Sequence, residues 1–230
     1  MKTVFYCIAI INLLFFSHNS FAINYSSQQI ERYVSKTPRK AENNINTLVK
    51  YLTHPFDDDF DKAKAIAFWI ASRIKYDEYL YNKGGITRLI RNYNGQTSQE
   101  LLKSRVGICG DFALLFKDMC QKAGISAKIV HGYAYPTNRR ISTKEKQNAG
   151  HAWNVFKYKS HYIYVDTTFM AKGSTGVSSN YISNYTRQRA LNKVKKENKY
   201  QSVLSDFDEY YFNFNYKKEI KEKKYRHEER

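Results

Sequence analysis

Residues 107–124 read GICGDFALLFKDMCQKAG, and the rest of the chain is best understood outward from them. Cys109 follows Gly107-Ile108, precedes Gly110, and opens a mostly apolar run containing Phe112, Ala113, Leu114, Leu115, Phe116 and Met119. Asp111, Lys117, Asp118, Gln121 and Lys122 leave only a narrow polar stripe. The run therefore predicts a largely buried helix, with Gly124 just past its C-terminus. A thiol at the start of such a helix feels the positive end of the helix dipole, which lowers its pKa and favours the nucleophilic thiolate. Downstream stand Gly150-His151-Ala152-Trp153-Asn154 and Tyr164-Val165-Asp166-Thr167-Thr168. A cysteine, a histidine and an aspartate can serve as nucleophile, base and orienting carboxylate. Cys109, His151 and Asp166 are the candidates, and the chemistry they predict is acyl transfer through a thiol.

Three strand-like segments follow the helix: Ala127 to Tyr135, His151 to Tyr158, and His161 to Thr168. Helices first and antiparallel strands after predict an α+β domain with the sheet packed on the cysteine helix. The last two segments flank a short polar turn near Lys159-Ser160 and predict a hairpin. With Tyr158 and Lys159 at the turn centre, His151 pairs directly with Asp166 on one face. The turn lacks Asn-Gly, so a slipped register, which would move the two to diagonal positions, stays open.

Upstream, Ser26 to Val34 and Ala41 to Leu52 read as short helices. Asp57 to Asp59 supply an N-cap and first-turn acids for a stronger one, in which Ile66, Trp69, Ile70 and Ile74 keep helical spacing. That helix is expected to end near Tyr76-Asp77. Thr97 and Glu100 form a capping box for another, running through Lys103. The chain of 230 residues carries no internal repeat or Pro/Gly/Ser-rich linker. It divides into residues 1–22, a helical extension at 23–55, a core at 56–170 and a basic extension at 171–230.

Lys2, the apolar run from Val4 to Phe16 and the small-x-small pattern Ser20-Phe21-Ala22 have the layout of a secretory signal peptide. The run is shorter than the ~20 residues that span a bilayer, which disfavours an uncleaved anchor. The expected location is periplasmic or secreted. Removing residues 1–22 takes away Cys7 and leaves Cys109 and Cys120. Along one helix these lie about 16 Å apart, too far for a disulfide. A free thiol in an oxidising compartment points to chemistry at Cys109, while Cys120 reads as a small buried apolar residue.

The formal charge is +17, from 38 Lys and Arg against 21 Asp and Glu. Such a surface favours anionic surroundings, including cell-wall polymers and membrane headgroups. Arg187 to Lys199 and Lys217 to Arg230 are dense basic clusters without a recognisable nucleic-acid module, so they read as solvated helix face and predict no specific nucleic-acid partner. Spacing for zinc is absent, and neither a metal nor a cofactor is expected. His54, His131, His161 and His227 read as structural, and Trp69 and Trp153 as core. Asp111 reads as a dipole-stabilising acid whose charge opposes thiolate formation.

The runs KAKAIAFWIASRIKYD, LLKSRVGICGDFALLFKDMCQKAGISAKIVHGYAY, GHAWNVF and YVDTTF together resemble the transglutaminase-like superfamily, over roughly Phe56 to Phe169. The resemblance implies a papain-like core with Cys109 as nucleophile, His151 as base and Asp166 as orienting carboxylate. In animal transglutaminases a tryptophan that stabilises the oxyanion occupies what looks like the Tyr76 position. The resemblance thus implies a Tyr76 hydroxyl in the oxyanion hole, beside the Cys109 backbone N–H. The other reading of Tyr76 is a residue that packs the helix end. The tail DEYYFNFNYKKEIKEKKYRHEER resembles in part the segment that follows the core in the kyphoscoliosis-peptidase branch, without its proline. Together these imply an exported cysteine peptidase or amidase, or an amine-transferring relative, acting on a protein, peptide or peptidoglycan-like substrate. The alternative is a catalytically silent binding module of the same fold, with a basic surface for cell-wall, membrane or host-protein contacts.

Overall fold

Helix α1 (Ser27–Ser35) starts at a capping box in which Ser26 and Gln29 satisfy one another's backbone N–H groups, and it buries Ile30 and Val34. The computed structural model describes residues 25–77, 95–134, 150–171, 209–213 and 225–227. Residues 1–22, read above as a signal peptide, and most of the basic tail lie outside these. A single helix expected from Ala41 to Leu52 is instead a 3-10 turn (Ala41–Asn43) followed by α2 (Ile45–Thr53). The break falls at Asn44, which is extended and whose side chain accepts from Asn46 N at 2.7 Å. Asparagine competes for backbone groups inside a helix and satisfies them at an N-cap.

Helix α3 (Asp59–Arg73) begins at Asp58, whose carboxylate accepts from Phe60 N at 2.8 Å. It is buried on nearly every face: Ala63, Ala65, Ala67 and Ala71 let neighbours approach, while Ile66, Phe68, Trp69 and Ile70 fill the core. α1 and α2 pack against it and share that core. The helix stops at Arg73 rather than near Tyr76-Asp77. Its continuation becomes β1 (Lys75–Tyr76), because a parallel partner, β2 (Val106–Gly107), takes up those backbone groups. Lys75 N donates to Arg105 O and Asp77 N to Gly107 O, both at 2.9 Å.

Between them α4 (Ser98–Ser104) opens with the Thr97–Glu100 capping box and ends at Arg105, which is left-handed at φ 61°. The Arg105 guanidinium lies over the Trp69 ring at 4.6 Å and donates to Glu42 Oε2 at 3.2 Å. Glu42 also accepts from Trp69 Nε1 at 3.0 Å and pairs with Arg73 at 3.5 Å. Burial pushes Arg105 down to about 10 against the opposing pull of Glu42. One carboxylate thus ties the 3-10 turn to α3 and to the residue that leads into β2.

Helix α5 (Cys109–Lys122) is the buried helix expected, and Gly124 follows its C-cap at φ 83°. It packs against α3 on one side and on the other against β3 (Ala127–Ala134) and β4 (Gly150–Tyr158). Cys109 and Cys120 are both buried free thiols on this one helix. With β5 (His161–Val165) and β6 (Tyr225–His227) the strands form a four-stranded sheet ordered β5-β4-β3-β6. Asn154, fully buried on β4, donates to Ala113 O of α5 at 2.9 Å and to Lys128 O of β3 at 3.3 Å, pinning sheet to helix.

The β4–β5 hairpin differs from expectation in register. Tyr158 pairs with His161 and Asn154 with Val165, so the two-residue turn is Lys159-Ser160. Tyr158 stays in the strand because its hydroxyl donates to Asp58 Oδ2 at 2.7 Å and its ring packs on Phe60. Lys159 takes the left-handed turn position at φ 52°. The third strand also ends earlier than expected, since Asp166 becomes the N-cap of α6 (Thr167–Met170). No helix among the described residues is long and apolar enough to cross a membrane.

Candidate active site

The approach to Cys109 is built by Asp111. Its Oδ2 accepts from Ile108 N at 2.9 Å and its Oδ1 from Gln96 N at 3.0 Å, so one carboxylate fastens the start of α5 to the chain entering α4. A carboxylate that takes two backbone N–H groups does more than complement the dipole; it sets the bend that aims residue 109. Gly107 is required by the same contact: a Cβ there would lie 2.8 Å from both Asp111 Oδ2 and Leu101 Cδ1. At Gly110, by contrast, a Cβ would meet nothing within 4 Å, so the residue after the thiol faces open space. Cys109 itself is the first residue of α5 and 6% exposed.

His151 comes to the thiol from β4, opposite Gly132 of β3. Its Nε2 lies 2.7 Å from Asp166 Oδ2, and its side chain is also hydrogen-bonded to Cys109. With Nε2 turned to the carboxylate, Nδ1 is the nitrogen left for the sulfur. Burial works against a charged imidazole, yet Asp166, by charge and hydrogen bond, and Cys109 in the same two ways outweigh it and push His151 up to about 10. The site therefore favours an imidazolium between two acids.

Asp166 is fully buried and held from both sides. Its Oδ1 accepts from Phe169 N at 3.0 Å, and its own N–H donates to Tyr211 O at 2.9 Å. The Phe169 ring stacks on the imidazole with centroids 4.6 Å apart and 15° between planes. Trp153, buried as expected, lies alongside at 5.9 Å.

Cys109, His151 and Asp166 are thus brought together. Tyr76 is placed nearby by the β1–β2 ladder, which sets it opposite Gly107, two residues before the thiol. His54 caps α2 and His161 opens β5, both away from the three. Phe169 and Tyr211 were not anticipated. Phe169 carried a weak signal, three residues after the aspartate at helix-turn spacing, while Tyr211 reaches the site through a long-range backbone pairing and a ring contact that have no local sequence signal. Among the described residues no group of three or more His, Cys, Asp or Glu could hold a metal ion.

A family model described as the transglutaminase-like superfamily matches residues 46–167, more than half of the chain. Over 125 residues the chain is 25% identical to kyphoscoliosis peptidase of Mus musculus, covering 54% of this chain and 18% of that protein. With the Homo sapiens counterpart it shares 23% over 142 residues, covering 62% and 20%. The chain spans about a fifth of the length of these curated relatives. Among solved structures, a TGase aligns with a TM-score of 0.44 at 17% identity, covering 73% of this chain and 39% of that one. The matched segment runs from α2 to the start of α6 and encloses Cys109, His151 and Asp166, and the chain belongs to the transglutaminase-like superfamily.

Proposed function

We propose that this chain is an exported thiol enzyme that cleaves amide or peptide-like bonds through a thioester on Cys109. The observation that carries the reading is the run of hydrogen bonds from Cys109 through His151 to Asp166. The Cys109 thiolate attacks the carbonyl carbon, and Tyr76 with the Cys109 backbone N–H stabilises the oxyanion. The C–N bond breaks as the His151 imidazolium gives its proton to the leaving amine, which leaves the acyl group on sulfur. Water, activated by the now neutral His151, releases the acid and restores the thiol. An acceptor amine in place of water would crosslink instead; hydrolysis is favoured because a site in an exported enzyme meets abundant water.

The substrate class is protein, peptide or a peptidoglycan-like polymer, and the basic surface suits an anionic one. Amine release from a panel of peptide, glutamine-containing and peptidoglycan substrates, measured with the native protein and with Cys109→Ala, tests the reading. Turnover that disappears in the variant supports it. Turnover retained in purified Cys109→Ala removes the nucleophile. No turnover on any substrate, with an unreactive thiol, returns the chain to a silent binding module.

A further inference from the structure

We infer that Tyr211, in a short C-terminal segment beyond the family core, is a positioning residue for the His151–Asp166 pair. The family match ends at residue 167, yet the segment Glu209–Asn213 returns to the far edge of β5. Phe212 bridges Val165, Asn213 N donates to Tyr164 O at 2.8 Å, and Asp166 N donates to Tyr211 O at 2.9 Å. The last bond is made to the backbone of the carboxylate residue itself. The Tyr211 ring meets the Phe169 ring edge-on at 5.4 Å and 68°. Phe169 in turn stacks on the imidazole and donates its N–H to Asp166 Oδ1. Tyr211 therefore touches Asp166 through the main chain and backs the ring that lies against His151. Its effect on the pair is exerted through Asp166 and Phe169.

The segment has its own anchor, independent of the site. Phe212 packs edge-on against Phe60 at 5.2 Å and Phe68 at 6.5 Å. Lys64 of α3 lies over all three rings at 5.5 to 5.9 Å. Its ammonium pairs with Glu209 at 2.6 Å and donates to Ser27 Oγ at 2.6 Å, and Ser27 also bonds Glu209. A cation over aromatic faces with a carboxylate at its head is a fixed point. Tyr211 is held from this point as well as from β5, so its carbonyl and ring have a support beyond the strand they serve.

The inference rests on the thiol-enzyme reading above, and the test separates the two. The rate of Cys109 alkylation by iodoacetamide is followed against pH in the full chain, with thermal melting as the control for folding. Among the described residues Asp166 and Cys109 shift His151, and Asp111 stands two residues from the thiol in the first turn of α5. Wild-type protein is expected to alkylate in the mildly acidic range, where a free thiol is protonated. Tyr211→Leu keeps the backbone bond and the apolar bulk but loses the ring edge. Its rate near pH 6 should fall about tenfold. Tyr211→Phe should restore the wild-type profile. Phe169→Leu, which removes the ring between Tyr211 and the imidazole and leaves the residues of the C-terminal segment unchanged, should give the same shift. Profiles of both leucine variants that superimpose on a reactive wild type overturn the inference and leave the enzyme reading standing. A wild-type thiol unreactive in acid overturns both.

Discussion

Nε2 of His151 and Oδ2 of Asp166 lie 2.7 Å apart although the residues are diagonal, not opposite, in the β4–β5 ladder. Extending the pairing of Asn154 with Val165 sets Asp166 beside Trp153, two residues along β4 from His151. The carboxylate closes that offset as the N-cap of α6, where Phe169 N holds its other oxygen. Asp166→Asn keeps a cap and the fold while removing the charge. Turnover should fall roughly a hundred- to ten-thousand-fold, and the melting temperature at neutral pH should fall too, because the buried imidazolium loses its main partner. A steady-state assay with calorimetry on the same sample checks both.

The protonation of His151 sets a pH window for stability. Its folded-state value, about 10, lies above the ordinary 6.5, so the folded protein holds this proton more tightly than the unfolded chain. The contribution is complete below about pH 6.5 and lost as pH rises through about 10. The melting-temperature advantage of wild type over His151→Gln should therefore shrink across that range. A difference that stays constant from neutral to alkaline pH contradicts it.

Gly107→Ala should destabilise the protein and disturb the start of α5 together. The added methyl would press on Leu101 Cδ1 and Asp111 Oδ2 at 2.8 Å, and neither is a loose surface group. Overpacking of this kind costs about 1–3 kcal/mol, measurable as a lower urea midpoint.

Glu42→Ala should be severe although Glu42 lies far from the thiol in sequence. It removes the carboxylate that meets the Arg105 cation and the Trp69 N–H in a buried setting and pairs with Arg73. Removing one member of a buried ionic cluster costs about 3–5 kcal/mol. Denaturant titration of the variant measures the loss.

Tyr76→Phe separates the two readings of that residue. A lost oxyanion donor should lower the chemical rate by roughly 100-fold with little change in substrate affinity. A wild-type rate would leave Tyr76 as a packing residue and put the oxyanion on backbone N–H groups.

Local signals carried much of this architecture. The apolar run after Cys109 with Gly124 at its end, the Thr97–Glu100 capping box and the three strands could be read because each depends on neighbours in sequence. The candidates Cys109, His151 and Asp166 were legible from their order and surroundings. What could not be read depends on distant partners. The chain leaves the helix before Lys75-Tyr76 because Arg105 O accepts from Lys75 N and Gly107 O from Asp77 N. The hairpin register is decided by Asp58 and Phe60, a hundred or so residues before the turn. Tyr211 reaches Asp166 from outside the family core for the same reason.

The central claim is that Cys109 and His151 work as a thiolate–imidazolium pair. The most direct measurement is the pH dependence of Cys109 alkylation in wild type and in His151→Gln, with labelling located by peptide mass spectrometry. The account predicts a wild-type rate that persists into the mildly acidic range, where an ordinary thiol is protonated, and that collapses in the variant toward ordinary thiol behaviour. Identical profiles for the two proteins, both rising only near the free-thiol range, would contradict it.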